Sequence, residues 1–198
     1  MNLFVDFIIT ALYAAFFQNI VLSGGYGVGE AVRIGSKPKQ IGVVSLFVMI
    51  FSVAAAVSCR ALDLIPQVNA MGFIEHLLIF TGVEFVIYLL VILIMIKGFK
   101  ASKGFLKLVG IAGFNTLVLA IPLLNRMGSS SGILEALGMA IGAGISFALA
   151  TTLISVGIKR IKSNPELPES FKFTPAVFIY IGLLALAFMG FSGQSLFV

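Results

Sequence analysis

Phe73 to Ile96, reading FIEHLLIFTGVEFVIYLLVILIMI, is an apolar run in which Glu75, His76 and Glu84 are the only acidic or imidazole groups. About 20 consecutive apolar residues in helical form cross the hydrocarbon of a bilayer, so this run predicts a membrane span. Outward from it lie five more such runs: Leu3 to Ser23, Ile41 to Ala61, Leu106 to Leu124, Ile133 to Ile158 and Thr174 to Phe197. The composition agrees. Of 198 residues 60% are hydrophobic and only 11% charged, and the mean hydropathy is +1.13. A soluble domain carries roughly a quarter charged residues, so a water-soluble globule is excluded. The expected fold is all-α and polytopic, with six transmembrane helices. The loops left over are too short for a nucleotide-binding or soluble catalytic domain. The first run has no basic residue before it and no small-residue cleavage site, and is read as a retained helix.

Basic residues orient the bundle, because Lys and Arg collect in loops that stay cytoplasmic. Arg33, Lys37 and Lys39 fall in the first loop, Lys97, Lys100, Lys103 and Lys107 in the third, and Lys159, Arg160, Lys162 and Lys172 in the fifth. Those are eleven of the thirteen Lys and Arg residues; only Arg60 and Arg126 lie in the second and fourth loops. Both termini are therefore expected outside the cell membrane. The net charge of +5 is the bias of a face beside anionic lipid and calls for no nucleic acid.

Three spans per half force residues 101–198 to enter the membrane in the sense opposite to residues 1–100, which is inverted-repeat geometry. A short echo accompanies it. Gln18-Asn19-Ile20-Val21-Leu22-Ser23 resembles Asn115-Thr116-Leu117-Val118-Leu119-Ala120, and each is followed by helix breakers, Gly24, Gly25, Gly27 and Gly29 in the first half and Pro122 in the second. Broken helices expose backbone groups, so Asn19, Ser23, Gly24, Gly25, Gly27, Asn115 and Pro122 form a candidate broken-helix site. The Gly25-x-Gly27-x-Gly29 spacing is no dinucleotide fingerprint, which needs a strand before it. Gly138, Gly142 and Gly144 have the spacing of close helix packing, with a dimerisation face as the alternative.

Longer motifs carry a family resemblance. Leu183-Leu184-Ala185-Leu186-Ala187-Phe188-Met189-Gly190-Phe191-Ser192-Gly193 looks like the end of the Rnf A-type and Nqr E-type proteins, membrane components of ion-pumping electron-transport complexes. Leu167-Pro168-Glu169-Ser170-Phe171-Lys172 resembles their Val-Pro-x-x-Phe-Arg loop, and Gln18-Asn19-Ile20-Val21-Leu22 their Asn-Asn-Phe-Val-Leu. Asn115 to Asn125, NTLVLAIPLLN, is similar to their Asn-Cys-Ala-Val-Leu-Gly-Val-Ala-Leu-Leu-Asn. The resemblance implies two inverted three-helix repeats, a second homologous membrane subunit or a homodimeric partner, and electron transport coupled to Na⁺ or H⁺. In that family each half supplies one cysteine, and two subunits pool four around a [2Fe-2S] cluster. Here Gly29 and Thr116 stand at those positions, and Cys59, the only cysteine, lies elsewhere. The expectation is a divergent or paralogous member that binds no cofactor and no metal by itself. The alternative is a stand-alone inverted-repeat transporter for an ion or small substrate.

An ionised group inside hydrocarbon costs at least about 2.5 kcal/mol even on lenient scales, so intramembrane carboxyls draw attention. Glu84 falls mid-span, and Leu77, Thr81 and Tyr88 lie within about 60° of it on a helical wheel. Glu84, Thr81 and Tyr88 are the candidate ion- or proton-coupling residues, with an interhelical hydrogen bond as the purely structural alternative. His76 and Glu75 are assigned to the interface. With a lone His and no acid suitably spaced, no catalytic residues are assigned.

Overall fold

The computed structural model describes residues 3–128, 132–172 and 174–191, and every regular element among them is helical. α1 (Leu3–Leu12) runs into two π-helical turns, Tyr13–Phe17 and Asn19–Ser23, with Gln18 bent between them. After a glycine turn come α2 (Val28–Gly35), a 3₁₀ turn (Pro38–Gln40), α3 (Ile41–Asp63), α4 (Pro66–Asn69) and α5 (Phe73–Lys97). The remaining helices are α6 (Lys103–Gly113), α7 (Thr116–Met127), α8 (Ile133–Ser163) and α9 (Thr174–Phe191).

Among the described residues four segments are long and apolar enough to cross a membrane: Pro38–Asp63, Phe73–Lys97, Lys103–Met127 and Ile133–Ser163. The first and last runs form shorter apolar helices, Phe4–Phe17 and Thr174–Gly190. The first run differs from a regular 20-residue helix because its second half is π-helical and the helix ends after Gly24, where Gly25 turns the chain. The last six residues of the sixth expected span, 192–197, and the Ser192-Gly193 end of the C-terminal motif lie outside the described residues.

α3 and α8 form the central pair, and their buried faces contribute Val48, Phe51, Phe147 and Ile154 to the core. Small polar residues also lie buried on these two helices, Ser45 and Ser52 on α3 and Ser146 and Thr151 on α8, and small side chains let helices approach closely. α1 and α2 lie against α8, whereas α6 and α7 lie against α3. The glycine spacing of α8 is used within the chain. A Cβ on Gly138 would stand 2.6 Å from the Phe7 carbonyl oxygen, and one on Gly142 would stand 2.5 Å from that of Ala11. α1 thus occupies the stripe formed by Gly138 and Gly142, and Met49 of α3 covers Gly144, which removes the dimerisation face considered for those three residues.

α5 and α9 flank the bundle and turn broad apolar faces outward, with Leu78 68%, Leu90 56%, Phe178 78% and Leu183 60% exposed. A soluble monomer does not expose apolar surface on this scale, whereas lipid is the solvent such faces require. α2 has no counterpart among the expected spans, since glycines on one side and lysines on the other obscure it. Its signal is the spacing of Val28, Ala31, Val32 and Ile34. Ala31 and Ile34 are buried against the core.

Candidate functional site

Two interrupted helices meet inside the bundle. In the first, Asn19 takes a positive φ of 28°, a conformation asparagine tolerates better than most residues, and is fully buried. Its carboxamide replaces the helical bonds lost there. Nδ2 donates to the Ala15 carbonyl at 3.2 Å, and Oδ1 accepts from the Leu22 amide at 3.1 Å and from Ser146 Oγ at 2.8 Å. Ser146, on α8, in turn accepts from the Val21 amide at 3.4 Å. Ser23 Oγ donates back to the Gln18 and Asn19 carbonyls. Asn19 and Ser23 therefore hold the break in shape, and Asn19 fastens it to α8. Gly24 follows at a right-handed φ of −91°, and Gly25 turns the chain at a φ of 74°.

The second interruption lies between α6 and α7. Phe114 ends α6, and Asn115 is extended and caps α7, its Oδ1 accepting from the Leu117 amide at 2.9 Å. This break precedes the expected one. Pro122 sits inside α7 and breaks nothing, because the chain has already re-entered a helix at Thr116. The sequence echo contains Asn115, where the interruption lies, and places the breaker six residues or more too late, at Pro122.

Gly27 joins the two. Its amide donates to Thr116 Oγ1 at 2.9 Å. Its φ is 78°, and a Cβ there would stand 2.5 Å from Asn115 Oδ1, so the position has room for hydrogen alone. Gly27 and Thr116, 89 residues apart in the chain, thus share one contact beside Asn115, with Gly29 two residues away in the first turn of α2.

Against this junction α5 places the three coupling candidates. Glu84, Thr81 and Tyr88 line a cavity of about 400 Å³ with Gly113, Asn115 and Thr116. Glu84 is 8% exposed, whereas Thr81 is exposed and its hydroxyl donates to the Leu77 carbonyl at 2.6 Å. Tyr88 leans on Phe114 with ring centroids 4.5 Å apart. Asn115 Nδ2, on a residue 1% exposed, is buried without a hydrogen-bond partner among the described residues. The cavity thus brings a carboxyl and an amide donor with no partner among the described residues together at an interrupted helix.

One polar cluster is not legible in the sequence. His76 is fully buried rather than interfacial, because the end of α3 packs against the start of α5 and brings Asp63 to it. Its Nδ1 lies 2.8 Å from the Gly72 carbonyl and its Nε2 lies 3.4 Å from Asp63 Oδ1. Arg126 of α7 reaches the same Asp63 oxygen at 3.3 Å and Asn69 Oδ1 at 3.1 Å. His76, Phe80 and Glu84 are the buried residues of α5, spaced four apart on one face, so the cluster and the cavity lie on the same helix edge. Cys59 is buried on α3 in a small pocket with Asp63 and Arg126, away from Thr116.

No family model matches the chain. Individual proteins do. It is 27% identical to the A-type subunit of the ion-translocating oxidoreductase complex of Rhodobacter capsulatus over 192 residues, 95% of this chain and 97% of that protein. It is 25% identical to the corresponding subunit of the Na⁺-translocating ferredoxin:NAD⁺ oxidoreductase complex of Acetobacterium woodii over 92% of this chain and 95% of that one. Over 80 residues, 40% of each chain, it is 38% identical to the corresponding subunit of the proton-translocating ferredoxin:NAD⁺ oxidoreductase complex of Clostridium ljungdahlii. The resemblance drawn from the sequence motifs is borne out by these relatives.

Proposed function

We propose that this chain, a homologue of the A-type subunit of ion-translocating oxidoreductase complexes, is an integral membrane subunit of such a complex in the Rnf/Nqr manner. The observation that carries the reading is the Gly27 to Thr116 contact, since the two breaks it joins carry the motifs that resemble the family. Two inverted repeats, residues 1–100 and 101–198, with six membrane crossings and both termini outside, are part of the proposal. Reciprocal packing supports the repeats: the broken helix of each half lies on the long central helix of the other, α1 and α2 on α8, α6 and α7 on α3.

The residues present do not fit the family's [2Fe-2S] cluster. A cluster iron takes thiolates here, and the first ligand position is Gly29, where a Cβ would meet open space. The second is Thr116, whose hydroxyl is already engaged by Gly27. Among the described residues no three His, Cys, Asp or Glu side chains converge as a metal site would require. The chain is therefore proposed as a cluster-less accessory or paralogous member, with no electron-transfer step through it. Its contribution is the Glu84 cavity, in which the carboxyl binds Na⁺ or a proton and Thr81, Tyr88 and Asn115 shape the surroundings.

Purification from native membranes in mild detergent tests the reading. Redox subunits and a second, homologous membrane subunit should accompany the chain. Recovery of the chain alone, active in ion or solute uptake after reconstitution, would establish the stand-alone transporter instead, a reading the Glu84 cavity equally serves.

A further inference from the structure

A cavity larger than the one at Glu84 lies at the far end of α8. About 780 Å³ in volume, it opens between α8 and the turn after α2, lined by Ser36, Ile41, Val156, Lys159 and Lys162 among others. A second cavity of about 330 Å³ adjoins it, lined by Val32, Arg33, Val177, Phe178 and Ile181. Ser36, Ile158 and Lys162 line both, so Lys162 stands where two lobes meet. Each lobe has one further cation at its rim, Lys159 or Arg33. No carboxylate lines either lobe, and among the described residues none of the three cations is in an ion pair.

We infer that this two-lobed groove is a binding site for an anionic diacyl phospholipid. Three observations select that occupant. α8 has 31 residues, about 46 Å at 1.5 Å per residue, against a hydrocarbon core of about 30 Å, so its last turns stand at headgroup depth. The three cations there are exposed and answered by no acidic group lining the groove, which leaves their charge for a phosphate. The two lobes meet at Ser36, Ile158 and Lys162 and each carries apolar side chains, Ile41 and Val156 in one and Val177, Phe178 and Ile181 in the other, so one headgroup at Lys162 leaves an apolar lobe for each of two acyl chains. The inference rests on the membrane placement of the helices and is independent of the electron-transport reading.

The full chain in detergent, titrated with phosphatidylglycerol or with phosphatidylcholine of the same acyl chains and followed by native mass spectrometry, tests it. Phosphatidylglycerol should be retained at least about tenfold more tightly, since each basic group near an anionic surface contributes severalfold. Lys159→Gln with Lys162→Gln should remove about a tenfold share of that preference on the same scale. Lys100→Gln with Lys103→Gln, the control at another basic loop, should leave it unchanged. Val177→Trp, which fills one lobe without touching a charge, should also weaken retention. Equal retention of the two lipids, or equal loss in the control pair, overturns the site. So does a photoreactive residue at Val156 that crosslinks in native membranes to protein rather than to lipid.

Discussion

The Gly27 amide donates to Thr116 Oγ1 across 2.9 Å, binding the turn that leads into α2 to the first residue of α7. Everything proposed for the interior depends on that junction, and its two glycines separate strain from space. Gly25 and Gly27 both have positive φ, 74° and 78°, but a Cβ at Gly25 meets nothing within 4 Å whereas one at Gly27 meets Asn115 and Leu117. Gly25→Ala should cost only the left-handed backbone penalty, about 1–2 kcal/mol. Gly27→Ala should cost more, because the Asn115 cap must shift as well. Thermal unfolding in detergent should order the midpoints wild type, Gly25→Ala, Gly27→Ala, and equal midpoints for the two variants would refute the packed junction.

The charge partition predicts the topology. In a Cys59→Ser background, a single cysteine at Ser102 should be protected in intact cells from an impermeant thiol reagent, and one at Gln67, exposed in α4, should react. The opposite pattern would invert the orientation.

At the end of α3, the Asp63 side chain is 6% exposed and is shared by His76 and Arg126. Asp63→Ala should therefore leave a buried imidazole and a guanidinium without their common acceptor, at about 1–3 kcal/mol once the partial exposure of Arg126 is allowed for. Arg126→Ala should cost less, because His76 still faces the carboxylate. Unfolding midpoints of the two variants read the order directly.

Why the sequence reveals some of this and not the rest is a matter of range. Apolar runs such as Phe73 to Ile96 register in the sequence because lipid acts on every residue of a span. Asn115 registers because a cap is a local event, its acceptor two residues from its donor. Pro122 misleads for the same reason, since its missing amide reads as a local breaker, whereas α7 continues through it to Met127. The Asp63, His76 and Arg126 cluster is hidden because its members are far apart in the chain, and the packing of α3, α5 and α7 alone brings them together. The same holds for Ser146, an ordinary small residue of a long helix until Asn19 reaches it from 127 positions away.

The purified chain should contain neither stoichiometric iron nor acid-labile sulfide, because Gly29 and Thr116 offer no thiolate and Cys59 is buried on another helix. Stoichiometric amounts of both in the chain freed of its partners would overturn the cluster-less assignment.

Glu84 separates coupling from packing. It is nearly buried, its cavity also holds the unsatisfied Asn115 amide, and it faces the junction of the two broken helices. If the carboxyl carries a proton or cation, Glu84→Gln should fold as the wild type does, since the amide has almost the same shape, yet abolish ion-coupled activity of the purified complex. Glu84→Leu removes every hydrogen bond while sparing the cost of a polar group in hydrocarbon, and interhelical hydrogen bonds contribute only about 0.6 kcal/mol on average in membranes. Its unfolding midpoint should therefore move little, and its activity should be lost like that of Glu84→Gln. A purely structural carboxyl gives a different pattern, in which Gln sustains activity and only Leu disturbs the assembly. Unchanged activity in both variants would remove Glu84 from the mechanism and leave coupling to the broken-helix residues around Asn19 and Asn115.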